Sequence, residues 1–395
     1  MSIVLSASVR QNLLSLQSTA DLLSTTQNRL ATGNKVNSAL DNPTNFFTAQ
    51  GLNNRASDIN NLLDSIGNGV QVLQAANTGI TSLQKLVDTA KSIANQVLQA
   101  PAGYSTKSSV TSGAITGGTA ANLLGTGLVQ GDQLTIAATG GGTATNITFG
   151  TGGSEVDTLT ELNAALAANN LQASVDDATG KITITTTNDK ASASIGAFSG
   201  TATGAGKAFL PANTTVVAAP VADAASQTIR SSLVKQYNDI ITQITTTAQD
   251  ASFNGINLLN GDDLKLTFNE TGKSTLNIKG VTFNAAGLGL ASLTSGTDFL
   301  DNSSANAALV KLSAASSTLR TQASSLGSNL SVVQIRQDFN KNLINVLQTG
   351  SSNLTLADTN EEAANSQALS TRQSIAVSAL ALANQSQQSV LQLLR

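Results

Sequence analysis

Histidine, cysteine and tryptophan are absent from this 395-residue chain, methionine occurs once, and aromatic side chains make up only 3% of it. Without His or Cys, most catalytic triads, thiolate nucleophiles, zinc sites and imidazole acid-base chemistry are excluded. What remains to an enzyme is chemistry built on carboxylates, Lys or Ser. Charge is also scarce: 11% of residues are ionisable Asp, Glu, Lys or Arg, the net charge is −3, and no basic stripe occurs. That balance argues against a nucleic-acid partner or an anionic membrane surface. No uninterrupted apolar run approaches the roughly 18 residues of a membrane span, so no membrane insertion is expected. The start, Met1 to Val9, has no positive region ahead of its apolar residues and no small-residue cleavage site. A Sec signal peptide is therefore not expected. Lack of Cys suits an extracellular chain that does without disulfides as well as a cytosolic one.

What the chain does have is helical periodicity at both ends. Val9, Leu13, Leu16, Ala20, Leu23 and Leu30 step by four and three, with Gln27 breaking the row. Leu369, Ala376, Leu380, Ala383, Val390 and Leu394 do the same near the C-terminus, broken at Gln373 and Gln387. A 4-3 step marks a helix whose stripe is buried against another helix. Two such stripes at opposite ends imply that the ends pair, an arrangement that suits an assembly unit better than an enzyme. Ile375, Ala379, Leu382 and Leu393 add a second apolar flank to the C-terminal helix. One intramolecular partner leaves much of that width wet, so neighbouring copies of the chain are expected to supply the cover.

Between the ends, the first helix should stop at Gly33-Asn34. A connector through Asn37, Asp41, Asn42 and Pro43 leads to a long helix over about Thr44–Leu98, some 80 Å at roughly 1.5 Å per residue. Gly67, Gly69 and Gly79 inside it either permit close approach or mark bends. From Tyr104 to Asp223 the composition turns to Gly, Thr, Ala and Ser, and the period falls to two. Leu134/Ile136, Ile147/Phe149, Val175 and Ile182/Ile184 predict short strands, and Leu159, Leu162 and Leu166 one helix. Heptads resume over about Ala224–Asp250, Phe253-Asn254-Gly255 breaks them, and Leu264–Phe268 turns at Glu270–Lys273 into Leu276–Ile278. A further long helix carries Leu309 to Leu347 and is predicted to end at Gly350-Ser351-Ser352.

The predicted fold is mainly α: a long antiparallel, coiled-coil-like helical rod formed by N- and C-terminal arms plus a β-hairpin, with a small α+β outer domain inserted at 104–223. No cofactor or metal is expected. The glycine runs at 140–142 and 150–153 lack the Lys-Ser/Thr of a phosphate loop. Asp176-Asp177 and Asp262-Asp263 lack the further oxygen ligands of a calcium loop and are expected to be solvated turn acids.

Arg29-Leu30-Ala31-Thr32-Gly33-Asn34-Lys35-Val36-Asn37-Ser38-Ala39, Ala381-Leu382-Ala383-Asn384-Gln385 and the terminal Val390–Arg395 resemble the end motifs of bacterial flagellin. Phe253-Asn254-Gly255, and Ala357-Asp358 together with Glu361-Glu362-Ala363, add two matches in the right order. The resemblance covers about 1–103 and 224–395 and leaves out the insertion. It implies a structural subunit that self-assembles into an extracellular filament for swimming, exported unfolded through the flagellar type III apparatus, with no catalytic role. It further implies terminal helices 1–43 and 353–395 lining an inner tube. Rod segments at 44–103, 224–304 and 305–352 would lie around them, and the insertion on the exterior. Partners implied are other copies of the chain, the flagellar cap and hook-associated proteins, and a cytoplasmic export chaperone covering the C-terminal helix.

The insertion departs from the usual family layout, in which the variable region follows the hairpin. Leu83–Ala90 also aligns with the stretch that a vertebrate innate receptor reads in many flagellins. Lys85 stands where Arg is usual and Thr89 where Leu is usual, beside Asp88, and the acidic partner position falls near Gln236. Weak activation of that receptor is expected. Two other roles fit the same residues: a hook-filament junction protein, and an exported adhesin or enzyme with its activity in 104–223.

Overall fold

The computed structural model describes residues 7–393, apart from the side chains of Ser8, Gln387 and residues 390–393. Leu394 and the Met1–Ser6 start therefore lie outside the described residues, as do the side chains of Val390 and Leu393. Helices α1 (Ala7–Thr32) and α2 (Pro43–Gln99) open the chain. The insertion follows as β1 (Tyr104–Thr106), β2 (Ser109–Thr111), β3 (Gln133–Ile136), β4 (Thr145–Thr148), α3 (Leu159–Leu166), β5 (Leu171–Asp176), β6 (Lys181–Thr186), β7 (Phe198–Ser199), β8 (Thr215–Val217) and β9 (Val221–Ala222). Then come α4 (Ala224–Asp250), the hairpin β10 (Leu264–Thr267) and β11 (Thr275–Ile278), α5 (Asn302–Thr355) and α6 (Thr359–Leu393). The fold is mainly helical, with long helices at both ends and a small sheet-bearing middle, as the periodicity predicts.

By its contacts the chain divides into two compact units. The first comprises the chain up to Val70, Lys265–Asn277 and Leu330 onward. Here α1 ends where predicted: Gly33 takes φ +72°, a left-handed stop that costs glycine nothing. The Gly33 carbonyl accepts from Ala357 N at 3.0 Å and the Thr355 carbonyl from Lys35 N at 2.7 Å, so the chain entering α2 crosses the chain entering α6. Asn42 Oδ1 then accepts from Asn45 N at 3.0 Å, capping α2, and Pro43 fills the first helical position.

In the same unit, Ala56 and Ile59 of α2 form a cluster with Ile344 and Leu347 of α5, flanked by Leu52, Leu63 and Leu343. The hairpin sits against these helices: Asn340 Nδ2 donates to the Phe268 carbonyl at 3.0 Å, and Arg55 Nε meets Glu270 Oε1 at 2.8 Å. At Gly69 the missing side chain lets Leu266 of the hairpin pack directly on the helix, since a Cβ there would displace Leu266 Cδ2. One expectation is overturned. Helix α5 does not end at Gly350-Ser351-Ser352 but continues to Thr355, since Ser351 Oγ is buried and donates to the Ala49 carbonyl at 3.2 Å. The break falls at Leu356–Asp358.

The second unit comprises Gln71–Leu264 and Ile278–Asn329. Its helical part buries a stripe on each of three helices, including Leu73, Ile80 and Leu83 of α2, Leu233, Tyr237 and Ile244 of α4, and Leu312 and Leu319 of α5. Gly79 admits Ala251 Cβ to where its own Cβ would lie. Arg230, only 2% exposed, ties the ends together. Its guanidinium donates to the carbonyls of Pro101 (3.0 Å) and Phe299 (3.1 Å) and to Asn302 Oδ1 (3.1 Å). The buried guanidinium thus satisfies carbonyls of the chain just beyond α2 and just before α5.

The strand pairs of the insertion are antiparallel, and a parallel bridge joins Phe149 to Val156. One sheet runs β5-β6-β2-β8, a second β4-β3-β7, and β1 pairs with β9 as a two-stranded neck. Leu134, Ile136, Ile147, Phe149, Ile182 and Ile184, all predicted strand residues, share one core with Leu162 and Leu166 of α3. Thr158 and Glu161 cap α3 reciprocally. The Asp177–Gly180 turn is as predicted, with Asp176 Oδ2 accepting from Thr179 Oγ1 at 2.7 Å and Gly180 at φ +65°. Strands β1, β2, β7, β8 and β9 were not predicted. They are two or three residues long, too short for a period to register. Ser192 Oγ to Asp301 Oδ2 (2.6 Å) and Lys190 Nζ to Ser303 Oγ (2.7 Å) fasten the insertion to the start of α5.

Candidate functional site: the paired terminal helices

Helix α1 lies antiparallel on α6, an orientation fixed at one end by Arg29 Nη1 and Glu362 Oε1 at 3.2 Å. Asp358 starts α6: its Oδ1 accepts from Asn360 N at 2.9 Å and Glu361 N at 3.3 Å. Glu361 and Glu362 then place negative charge on the first turn, where the helix dipole favours it. Glu362 is nearly buried, and Arg29 Nε has no hydrogen-bond partner among the described residues.

The residues covered on α1 are Val9, Asn12, Leu16, Thr19, Ala20, Leu23, Thr26 and Arg29. On α6 they are Glu362, Ser366, Leu369, Gln373, Ala376, Leu380 and Ala383. Of the predicted stripe residues, Val9 is buried, and Leu16, Ala20, Leu23, Leu369, Ala376, Leu380 and Ala383 are half-buried. Leu13 and Leu30 are each 39% exposed. Apolar periodicity does not reveal Asn12, Thr19 and Thr26, because their side chains are polar. Thr19 can sit inside because its hydroxyl donates to the Ser15 carbonyl at 2.7 Å within the helix.

The seam thus mixes aliphatic residues (Val9, Leu16, Leu23, Leu369 and Leu380) with small and polar ones, and further large aliphatic side chains stay uncovered: Leu14 is 71% exposed, Leu382 69% and Ile375 63%, with Leu22 and Val377 also exposed. Single exposed apolar side chains are ordinary on a surface, but five large ones on two adjoining helices leave aliphatic area open on more than one face of the pair.

The linker at 33–42 is held by one carboxylate. Asp41 Oδ2 accepts from Ser38 N (2.8 Å), Asn37 N (3.0 Å) and Ser38 Oγ (3.1 Å). The backbone donors of Ser38 and Asn37, then the Ser38 hydroxyl, hold its pKa below the usual carboxylate value.

Elsewhere, Lys85, Asp88 and Thr89 are exposed on α2, with Thr89 Oγ1 donating to the Lys85 carbonyl at 3.0 Å and Asp88 3.8 Å from Lys91 Nζ. Gln236 is exposed on α4. The paired acids serve turns: Asp177 Oδ1 accepts from Ala120 N, Asp262 Oδ2 from Asn257 N and Asp263 Oδ1 from Gly280 N. Among the described residues, no three or more Asp or Glu gather where they would hold a metal ion, and no helix is long and apolar enough to cross a membrane.

The family profile of the bacterial flagellin N-terminal helical region matches residues 4–116, and that of the C-terminal helical region matches 309–394. The chain belongs to the bacterial flagellin family. Both matched regions hold the helices that form the terminal pair, and α4 with the hairpin lies between them, outside either match. Among relatives of this flagellin, Flagellin FljM of Caulobacter vibrioides is 32% identical over 167 residues, which is 42% of the present chain and 60% of the relative. Flagellin FljK of the same organism is 33% identical over 168 residues, again 60% of its own length. Flagellin A of Rhizobium meliloti is 33% identical over 124 residues, 31% of the chain and 27% of the relative. The match thus spans about three fifths of the Caulobacter relatives' own length.

Proposed function

We propose that this flagellin is a structural subunit that self-assembles into the extracellular filament of the bacterial flagellum. The observation that carries the proposal is the exposed aliphatic set Leu14, Leu22, Ile375, Val377 and Leu382, left over on a helix pair whose own seam already covers Val9, Leu16, Leu23, Leu369 and Leu380. Neighbouring copies cover that set. A contact between different faces of identical subunits that does not close on itself generates an open helix of subunits. In this reading Val9, Leu13, Leu16, Ala20, Leu23, Leu30, Leu369, Ala376, Leu380, Ala383, Val390 and Leu394 belong to the subunit interface. The terminal helices line the inner tube, the long helices with the hairpin surround them, and the insertion faces outward.

Export, capping and chaperoning are part of the same proposal. The exposed flank of α6 requires masking before secretion, which suits a cytoplasmic chaperone. Cap and hook-associated proteins would meet the same helices at the filament ends. The role is structural, with no catalytic step.

Electron microscopy of purified protein after addition of a sulfate salt, which strengthens apolar burial, tests the proposal. Long fibres of uniform width are expected. Protein that stays monodisperse at every salt concentration up to precipitation refutes it.

A further inference from the structure

Three Asn-Gly pairs occur in the chain, Asn68-Gly69, Asn254-Gly255 and Asn260-Gly261, and the fold treats them differently. Asn68 and Gly69 lie inside α2, where the Gly69 amide is held in the helix ladder. Asn260 is paired to Thr282 in an isolated bridge, and its amide donates to the Asn257 carbonyl at 3.1 Å. Asn254 and Gly255 are the two central residues of a tight turn with φ of +50° and +81°, the left-handed pair that a two-residue hairpin loop demands. Phe253 N to the Ile256 carbonyl (3.0 Å) and Ile256 N to the Phe253 carbonyl (3.1 Å) close it. Both central residues are exposed. Among the described residues, the Gly255 amide donates to no backbone carbonyl, and the Asn254 side chain makes no hydrogen bond.

We infer that Asn254 is the spontaneous modification site of this protein, its side-chain amide converting to aspartate and isoaspartate through a succinimide. The Gly255 nitrogen attacks Asn254 Cγ, and the bond from Cγ to the side-chain nitrogen breaks. Ammonia leaves with the proton that the Gly255 amide gives up. Water then adds to one carbonyl of the five-membered ring and reopens it. Attack at one carbonyl gives aspartate, and attack at the other gives isoaspartate with the main chain running through the former side chain. The net change is one water in and one ammonia out. Glycine at the following position leaves the attacking nitrogen unshielded, and only the two closing hydrogen bonds of an exposed turn have to open.

The product acts on α4. Asn257 Nδ2, three residues on, donates to the Ala248 and Gln249 carbonyls at 2.8 Å each and closes the last turn of that helix. Isoaspartate adds a methylene to a two-residue turn and removes its register. Either product places a negative charge near the carbonyl end of α4, where the helix dipole opposes it.

The test is peptide mapping of the full native chain during incubation at mildly alkaline pH in water enriched in oxygen-18. An Asn254→Gln variant is incubated in parallel. Conversion at residue 254, with incorporation of the heavy oxygen, is expected at least about tenfold faster than at residue 68, where reaction needs local opening of the helix. Isoaspartate should be detectable at 254 in the parent and absent there in the variant. Residue 68 or 260 converting as fast as 254, or residue 254 remaining an amide while another asparagine reacts, overturns the inference.

Discussion

Truncating Leu14 and Leu382 together to alanine separates what these side chains do in one molecule from what they do between molecules. They are 71% and 69% exposed, so the single chain loses little burial. Surface changes of this kind shift folding stability within about 0.5 kcal/mol. If a neighbouring copy buries what is exposed, each leucine contributes roughly 70% of the ~2–3 kcal/mol that full burial of a leucine side chain gives, or about 1.5–2 kcal/mol. The pair then weakens subunit addition by about 3–4 kcal/mol, which at 1.4 kcal/mol per decade raises the concentration of free subunit in equilibrium with polymer by some two to three powers of ten. Sedimenting sulfate-grown material and assaying the supernatant measures that concentration, and a thermal melt of the dilute variant checks the monomer. A free-subunit concentration within about threefold of the parent, with an unchanged melt, would refute the reasoning and leave these leucines as ordinary surface residues.

Other perturbations read different parts of the fold. Arg29→Ala strands the nearly buried Glu362, at a cost of about 1–3 kcal/mol, and should speed hydrogen exchange in α1 and the first turns of α6 of the sedimented polymer while leaving the insertion untouched. Arg230→Ala orphans the Pro101 and Phe299 carbonyls and should lower the denaturation midpoint of the unit around α4 by the equivalent of about 2–4 kcal/mol, read by urea unfolding. Asp41 and Asp223 both have folded pKa values below their usual one, the latter held down by the side chain and backbone of Ser226. Their contribution is therefore full above the ordinary carboxylate range and lost as pH falls through the lower folded values, so acid titration followed by amide resonances of residues 37–42 and 224–227 should show loss of order only in that acid window. Restoring the usual residues with Lys85→Arg and Thr89→Leu should raise a reporter-cell response that is weak for the parent; a parent already equal to a strong agonist flagellin contradicts the receptor reading.

Long-period features were legible and short-range compromises were not. The bounds of α4 and the stop at Gly33 follow from heptads and a glycine, both local signals. The α1 seam was readable in its Val9, Leu16 and Leu23 positions, but the steps between them offered Leu13 or Asn12, and Ala20 or Thr19. Hydrophobicity points to Leu13, whereas the antiparallel partner leaves Leu13 more exposed than Asn12 and buries Thr19. Sequence marks Gly69 and Gly79 as unusual inside a helix, yet only Leu266 and Ala251 explain them, and these lie about 170–200 residues away along the chain. Gly350-Ser351-Ser352 reads as a stop because serine competes with helix, but Ser351 spends its hydroxyl on Ala49 and the helix continues. Strands of two or three residues, such as Phe198–Ser199, exist through their pairing with β3 and carry no signal of their own.

Under the proposed assembly the terminal helices are marginal in the single chain, because a helix with little burial is barely stable in water, and they become fixed when other copies cover α1 and α6. Hydrogen exchange on residues 7–32 and 359–393, compared between dilute subunit and sedimented polymer, measures this directly. The account predicts fast exchange in the subunit and strong protection in the polymer, with residues 71–99 protected in both. Equal protection of the terminal helices in the two states would contradict it.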